Sequence, residues 1–365
     1  MLSKILLMPF TLLYGISIAF RNFLYDQKYL RSIRFDIPVI NVGNLSTGGT
    51  GKTPHVDYLI DLLKAHYPLG VLSRGYRRKT SGYMDVKTNH SARDVGDEPL
   101  LLKWKHPEIE VAVSEDRSIG IPSLASQKPP KFTVLLDDAF QHRGIRAGLN
   151  ILLTPYHELY TDDFLLPAGN LREFKSGAKR ADLIIVTHSP QKLTQQEKDR
   201  IKTKLSPQDY QHVFFSFLDY HPLYQVFKDG VTLISPKKDS DILLLTGIAN
   251  HSKMKDYLAA KFNKLYERSF PDHHTFTNQD VESIINTYKD LKGKDKYIIT
   301  TEKDLTRLFP HAHAFNNLGI KVLCLPIKIN FEAKEKQRFN KTIHFFIEKT
   351  LEEYLTIEEE EYDGH

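Results

Sequence analysis

The stretch that most restricts this chain is Val39-Ile40-Asn41-Val42-Gly43-Asn44-Leu45-Ser46-Thr47-Gly48-Gly49-Thr50-Gly51-Lys52-Thr53. A short apolar run ends in a glycine-rich turn, and an amphipathic segment from Pro54 to His66 follows. That order predicts strand, phosphate-binding loop, helix. Gly48, Gly49 and Gly51 let the backbone curl so that successive N–H groups face one anion, and the helix adds the positive end of its dipole. Gly48, Gly49, Thr50, Gly51, Lys52 and Thr53 then cradle nucleotide phosphates, with Lys52 reaching the β/γ-phosphates and the Thr53 hydroxyl able to ligate Mg²⁺. Pro54 suits a first helical turn, where its missing N–H costs nothing. Ser46 stands where the strict motif has glycine.

A chain of 365 residues has room for two domains, each with its own core. The lone Cys324 excludes a disulfide framework and any cysteine-rich metal site, and it fits a reducing compartment. The net charge of +5 is unevenly spread. Lys4, Arg21, Lys28, Arg31 and Arg34 stand at the front against Asp26, while 351–365 holds Glu352, Glu353, Glu358 to Glu361 and Asp363 with no Lys or Arg.

The apolar run Ile5 to Phe20 is interrupted by Pro9, Thr11, Tyr14, Gly15 and Ser17. It reads as too short and too broken to span a bilayer, which takes about 20 apolar residues. No small-residue cleavage site follows, as a signal peptide requires. Two readings stand. Apolar residues beside Arg21, Lys28, Arg31 and Arg34 suit an interfacial membrane anchor; the same run could cover a sheet as a core helix.

Further along, Leu69 to Ser73 reads as a buried strand, followed by Arg74, Gly75, Tyr76, Arg77, Arg78 and Lys79. Cations at the C-terminal edge of a strand sit where open α/β sheets bind ligands, and they call for an anionic substrate. Asp97 and Glu98 lie on a turn before an apolar helix, where N-capping is their ordinary role. Phe132 to Asp138 is a buried strand ending in two carboxylates, Asp137 and Asp138, placed to hold Mg²⁺ beside the loop threonine. Strands are expected at 150–154, 182–188, 212–220, 223–229, 241–246, 264–270, 296–301 and 321–329, with helices between and a long one from Phe331. The alternation predicts an α/β fold: a P-loop domain with a mostly parallel doubly wound sheet, then a smaller α/β domain. Expected boundaries are 1–34 for the N-terminal helical segment, 35–210 for the P-loop domain, 211–230 for a β linker, 231–350 for the smaller domain and 351–365 for an acidic tail. His273 and His274 follow a strand of the second domain but lack the spacing of a metal pair.

Taken together, these segments resemble the tetraacyldisaccharide 4'-kinases, the lipid A 4'-kinases of Gram-negative bacteria. The resemblance rests on the phosphate loop with Pro54, Leu72-Ser73-Arg74-Gly75-Tyr76, Gly96-Asp97-Glu98-Pro99, Asp137-Asp138-Ala139-Phe140-Gln141-His142, Leu166-Pro167-Ala168-Gly169 with Leu171-Arg172-Glu173, Asp272-His273 and Thr300-Thr301-Glu302-Lys303-Asp304. It implies an ATP- and Mg²⁺-dependent kinase on the cytoplasmic face of the inner membrane. Its substrate would be a tetraacylated glucosamine disaccharide 1-phosphate, phosphorylated on the 4'-hydroxyl to give lipid IVA. It also implies two domains joined by a two-stranded linker. By resemblance, Asp97 is the base and His273 its partner, with His274 the alternative. Lys52 serves the phosphates; Thr53, Asp137 and Asp138 hold the metal, with Glu98 assisting. Arg74, Tyr76, Arg117, Asn170 and Arg172 are the expected substrate contacts, and Arg77 and Arg78 join Arg74 in a cationic rim. A monomer with no nucleic-acid partner is expected. The rival readings are a soluble ATP-dependent carboxylate-activating synthetase and a partitioning-type ATPase, the latter disfavoured by Thr47 where an early loop lysine would stand.

Overall fold

The computed structural model of the chain describes residues 2–129, 131–227, 232–248 and 250–363. Two sheets organise it. The strands are β1 (Val39–Asn44), β2 (Leu69–Ser73), β3 (Met84–Asp85), β4 (Glu110–Val113), β5 (Thr133–Asp137), β6 (Leu149–Pro155), β7 (Leu183–Thr187), β8 (His212–Tyr220), β9 (Tyr224–Gln225), β10 (Thr232–Leu233), β11 (Asp241–Thr246), β12 (Lys264–Ser269), β13 (Lys296–Thr301), β14 (Val322–Leu325) and β15 (Ile327–Phe331). The first sheet has nine strands in the order β15-β8-β7-β6-β1-β5-β2-β4-β3, parallel except where β15 and β3 pair antiparallel at its edges. The second has six, β10-β9-β14-β13-β11-β12, with β14, β13, β11 and β12 parallel.

Both faces of the first sheet are covered, as its apolar strands require. On one face Ile40, Val42, Leu135 and Ile151 pack with Val56, Leu59 and Ile60 of the loop helix and with Phe339, Ile343 and Ile347 of the helix Ala333–Asp363. On the other, Val134 and Leu136 meet Ile121 and Leu124, while Ile184 and Val186 meet Ile201 and Leu205. This is the doubly wound arrangement expected.

The expected single strand 321–329 is two strands. It breaks at Pro326, which has no N–H for a ladder, so Val322–Leu325 stays in the second sheet and Ile327–Phe331 returns to pair with β8 in the first. Residues from 327 onward therefore belong with the first sheet's core rather than with the smaller unit predicted for 231–350. The crossing is a ribbon: β8 runs into β9 on the way out, and β14 runs into β15 on the way back. The strand expected over 223–229 is short, Tyr224–Gln225; residues 228–230 of the expected linker lie outside the described residues, as do 231 and Ala249. Of the expected tail 351–365, the part to Asp363 continues the long helix, and 364–365 lie outside the described residues.

The N-terminal run, expected to be broken, is one helix, α1 (Leu2–Asp26), continuous through Pro9. Three of its interruptions form its docking face, while Pro9 and Ser17 are exposed. Thr11, Tyr14 and Gly15 recur at helical spacing on the side that meets the body of the protein. The Thr11 hydroxyl accepts a hydrogen bond from Ala168 N (3.1 Å), the Tyr14 hydroxyl donates to Arg172 O (2.7 Å), and Gly15 lies against Leu165 and Phe174. The opposite side is bare: Leu6 is 77% exposed and Leu13 66%, with Phe10, Leu12, Ile16 and Phe20 similarly open. Residues Leu6–Asp26 are long and apolar enough to cross a membrane. A core-helix reading does not survive that exposure.

Candidate active site

β1 delivers the glycine-rich loop, and α2 (Lys52–Leu63) follows it directly. Gly48 (φ 100°) and Gly51 (φ 89°) adopt left-handed backbone conformations that only glycine takes cheaply. The loop is braced from below. Asn44 Nδ2 donates to Thr50 Oγ1 (2.8 Å), and Thr187 Oγ1 at the end of β7 donates to Thr50 O (2.9 Å). His55 lies 2.7 Å from Gly51 O through Nδ1 and 3.0 Å from Ser216 Oγ through Nε2; burial pushes this imidazole down to about 4, so it is neutral. Lys52 Nζ donates to Asn44 Oδ1 (3.3 Å) and stands 3.6 Å from Asp138 Oδ2.

Beside β1 in the sheet, β5 ends in Asp137 and Asp138. Asp138 takes a left-handed φ of 56° and accepts from Arg172 at 2.8 Å. Burial opposes its charge, but Lys52 and Arg172 outweigh that and hold the carboxylate below its ordinary value. Asp137 differs. It is buried, its Oδ1 has no hydrogen-bond partner, and burial together with the neighbouring Asp138 charge raises it to about 7. A buried, unpartnered carboxylate oxygen beside a phosphate loop is a seat for a divalent cation, which would supply the missing partner and favour the ionised form. Mg²⁺ needs only one or two carboxylates there, because phosphate oxygens and water complete its shell. Asp137 and Thr53 fit that requirement.

Three loops of the second sheet converge on the first. They follow β11, β12 and β13 and carry Gly247, His273 and the helix Glu302–Leu308. His273 Nδ1 lies 3.1 Å from Asp97 Oδ2, and Lys303 Nζ lies 3.2 Å from His273 Nε2 and 3.1 Å from Glu98 Oε1. Asp304 is buried and saturated: it accepts from Gly247 N (3.1 Å), Thr301 Oγ1 (2.7 Å) and Arg307 (2.6 Å), while Arg307 Nε reaches to 3.7 Å from Asp97. Lys105 joins the two halves lower down, bonded to Asp57 of α2 (2.8 Å) and Glu302 (2.9 Å).

The expected site residues thus fall into groups. Lys52, Asp137, Asp138 and Arg172 are together, as are Asp97, His273 and Tyr76, whose ring lies edge-on to His273 at 5.7 Å. His274 faces away, bonded to Asp280 (3.0 Å) and stacked on Phe270. Glu98 engages Lys303 rather than the carboxylate pair. Arg117 is buried behind Asp137, donating to Ser114 O (3.1 Å) and Asp137 O (3.3 Å), and burial lowers it to about 10. Arg74 is exposed at the end of β2, and Arg77 packs over the Tyr76 ring. Asn170 touches the loop through its carbonyl, which accepts from Thr47 N (2.8 Å). Arg78 is no part of an open rim, because its side chain is buried against Glu115. Sequence reasoning missed Asn44, His55 and Arg307. A polar residue closing an otherwise apolar strand was the available signal for Asn44; His55 and Arg307 had none.

The tetraacyldisaccharide-1-P 4'-kinase family model matches residues 3–344. The chain belongs to that family. Among curated relatives, the tetraacyldisaccharide 4'-kinase of Bacteroides thetaiotaomicron is 43% identical over 347 residues, covering 92% of this chain and 91% of the relative. That of Flavobacterium johnsoniae is 43% identical over 352 residues, covering 96% and 99%. Among solved structures, LpxK from Aquifex aeolicus, crystallised in complex with ATP, superposes with a TM-score of 0.71 at 32% identity, covering 95% of this chain and all of that one. Nothing in these relatives supports a carboxylate-activating synthetase.

Proposed function

We propose that this kinase transfers the γ-phosphate of ATP to the 4'-hydroxyl of a tetraacylated glucosamine disaccharide 1-phosphate, producing lipid IVA. The observation that carries the reading is the 3.1 Å approach of His273 to Asp97, which joins the loops of the two sheets. In the reaction the acceptor oxygen bonds to the γ-phosphorus while the bond to the bridging β–γ oxygen breaks and its electrons leave with ADP. Asp97 takes the hydroxyl proton, and His273 orients that carboxylate. Lys52 and the backbone of Gly48–Thr53 hold the phosphates, with Arg172 near the departing charge. Mg²⁺ held by Thr53 and Asp137, with Asp138 alongside, would neutralise developing phosphate charge. Arg74, Tyr76 and Asn170 lie at the rim where the disaccharide would enter; buried Arg117 supports Asp137 from behind.

The protein works on the cytoplasmic face of the inner membrane, as a monotopic or peripheral monomer. Support comes from the bare apolar side of α1 and from the substrate: each acyl CH₂ leaving a bilayer costs about 0.8 kcal/mol, so four chains stay where they are. The chain acts as two domains hinged at the β8–β9 and β14–β15 ribbon, closing to bring His273 to Asp97. The test is ATP-dependent phosphate transfer to the tetraacyl disaccharide 1-phosphate in mixed micelles. Phosphorylation of the 4'-position is expected, and ATP hydrolysis without transfer would overturn the reading.

A further inference from the structure

We propose that Lys303 sets the tautomer of His273, and so makes this imidazole a donor to Asp97 rather than a competitor for its proton. This deepens the reading above, in which Asp97 and His273 act together. An ammonium group has donors only, so at 3.2 Å from His273 Nε2 it must meet a lone pair. Nε2 is then bare. In the neutral ring the proton sits on Nδ1, which faces Asp97 Oδ2 at 3.1 Å and donates to it. The opposite tautomer would set two donors against each other at Nε2 and a lone pair against a carboxylate at Nδ1, unfavourable at both ends. The other neighbours do not reverse this. Asp272 Oδ2 stands 3.7 Å from Nε2, beyond hydrogen-bond reach, and Tyr76 offers only its ring.

Lys303 is held for this task from outside the second sheet. Its ammonium also pairs with Glu98 at 3.1 Å, next in sequence to Asp97, so one cation ties His273 to the turn that carries Asp97. A second consequence follows. With Nε2 occupied by a cation's donor, His273 cannot take up the acceptor's proton by that nitrogen, and Asp97 is left as the only base of the two. Lys303 is therefore a positioning residue, acting through His273.

The experiment uses the full chain in detergent micelles with ¹⁵N-labelled histidine. Two-bond ¹H–¹⁵N spectra report which ring nitrogen carries the proton, with the His273 signals assigned by their loss in His273→Ala. The wild-type ring should show protonated Nδ1 and bare Nε2. In Lys303→Met the bare-Nε2 signature should shift toward the Nε2–H form. Turnover should fall about 10- to 100-fold, the scale on which a functional imidazole feels loss of its orienting partner, with the KM for ATP little changed. Lys303→Arg, which keeps a cationic donor, should restore both. A wild-type ring protonated at Nε2, or an unchanged ring in Lys303→Met, would overturn the proposal; the wild-type spectrum decides it even if the methionine variant fails to fold. Full turnover in His273→Ala would remove the pair's catalytic role yet leave the tautomer assignment standing, so the two ideas fail separately.

Discussion

Each of the two sheets ends in a buried aspartate, and the two are partnered in opposite ways. At the C-terminal edge of the first, Asp137 is buried with an unpartnered oxygen and raised to about 7 by burial and by Asp138. At the same edge of the second, Asp304 is equally buried but accepts from a backbone amide, a threonine and Arg307. One carboxylate leaves an oxygen for a metal to complete; the other is completed by its own chain. On the proposed reading the first edge serves the nucleotide and its metal, and the second brings His273 to Asp97. Architecture does not distinguish them; the saturation of hydrogen bonds does.

The sharpest way to break this contrast is Lys52→Ala. Removing the cation assigned to the phosphates should lower turnover about 10³- to 10⁵-fold, as for other phosphoryl-transfer cations, while Arg172 still pairs Asp138 and keeps the fold intact. Near-normal turnover in a folded variant would mean that the first edge does not bind nucleotide. Asp97→Ala and His273→Ala should each cost about 10²- to 10⁴-fold in kcat. Steady-state kinetics on the double variant should give little beyond the worse single one, because members of a unit are not additive; fully multiplicative losses would separate their roles.

On the second edge the expected cost is stability. Arg307→Ala leaves Asp304 buried without its cation, a change worth about 3–5 kcal/mol in chemical denaturation. Asp137→Asn should instead leave stability level or improved, since burial and Asp138 already oppose that charge and its Oδ1 has no partner to lose. Equal destabilisation by both would erase the distinction between the edges. A smaller effect concerns pH. Asp137 is ionised above about 7 and protonated below, so Mg²⁺ must displace a proton in acid. Mg²⁺ affinity of the ATP-bound enzyme, followed by calorimetry, should fall about tenfold per pH unit below 7, the slope of one displaced proton; a flat profile from pH 8 to 6 would remove Asp137 from the metal. The gentlest change is deletion of residues 1–20. Sedimentation with anionic vesicles should show release of the protein, with a several-fold rise in KM for lipid and a helical circular-dichroism signal lowered only by the share of α1 that was removed. Unfolding on deletion would mean that α1 is needed by the fold instead.

Local chemistry was legible in the sequence. The glycine spacing before Lys52, the apolar run into Asp137 and Asp138, and the alternation of strands and helices each depend on neighbours a few residues away, and the first sheet formed around them as expected. Choosing His273 over His274 from sequence relied on family resemblance; geometry supplies a reason, since His274 is bonded to Asp280. What the tertiary structure alone decided involves partners far apart in the chain. The return of 327–331 to the first sheet turns on which strand accepts the chain beyond Pro326. Arg78 looked like an open cation until Glu115 was seen beside it, and only the folded chain shows that Glu98 is met by Lys303 from the other sheet. In α1, Thr11 and Tyr14, two of the residues that made the run look broken, dock it to the loop of Arg172. Periodicity announces which faces a segment has, but the free energy of pairing a buried charge depends on what long-range folding brings within a few ångströms of it.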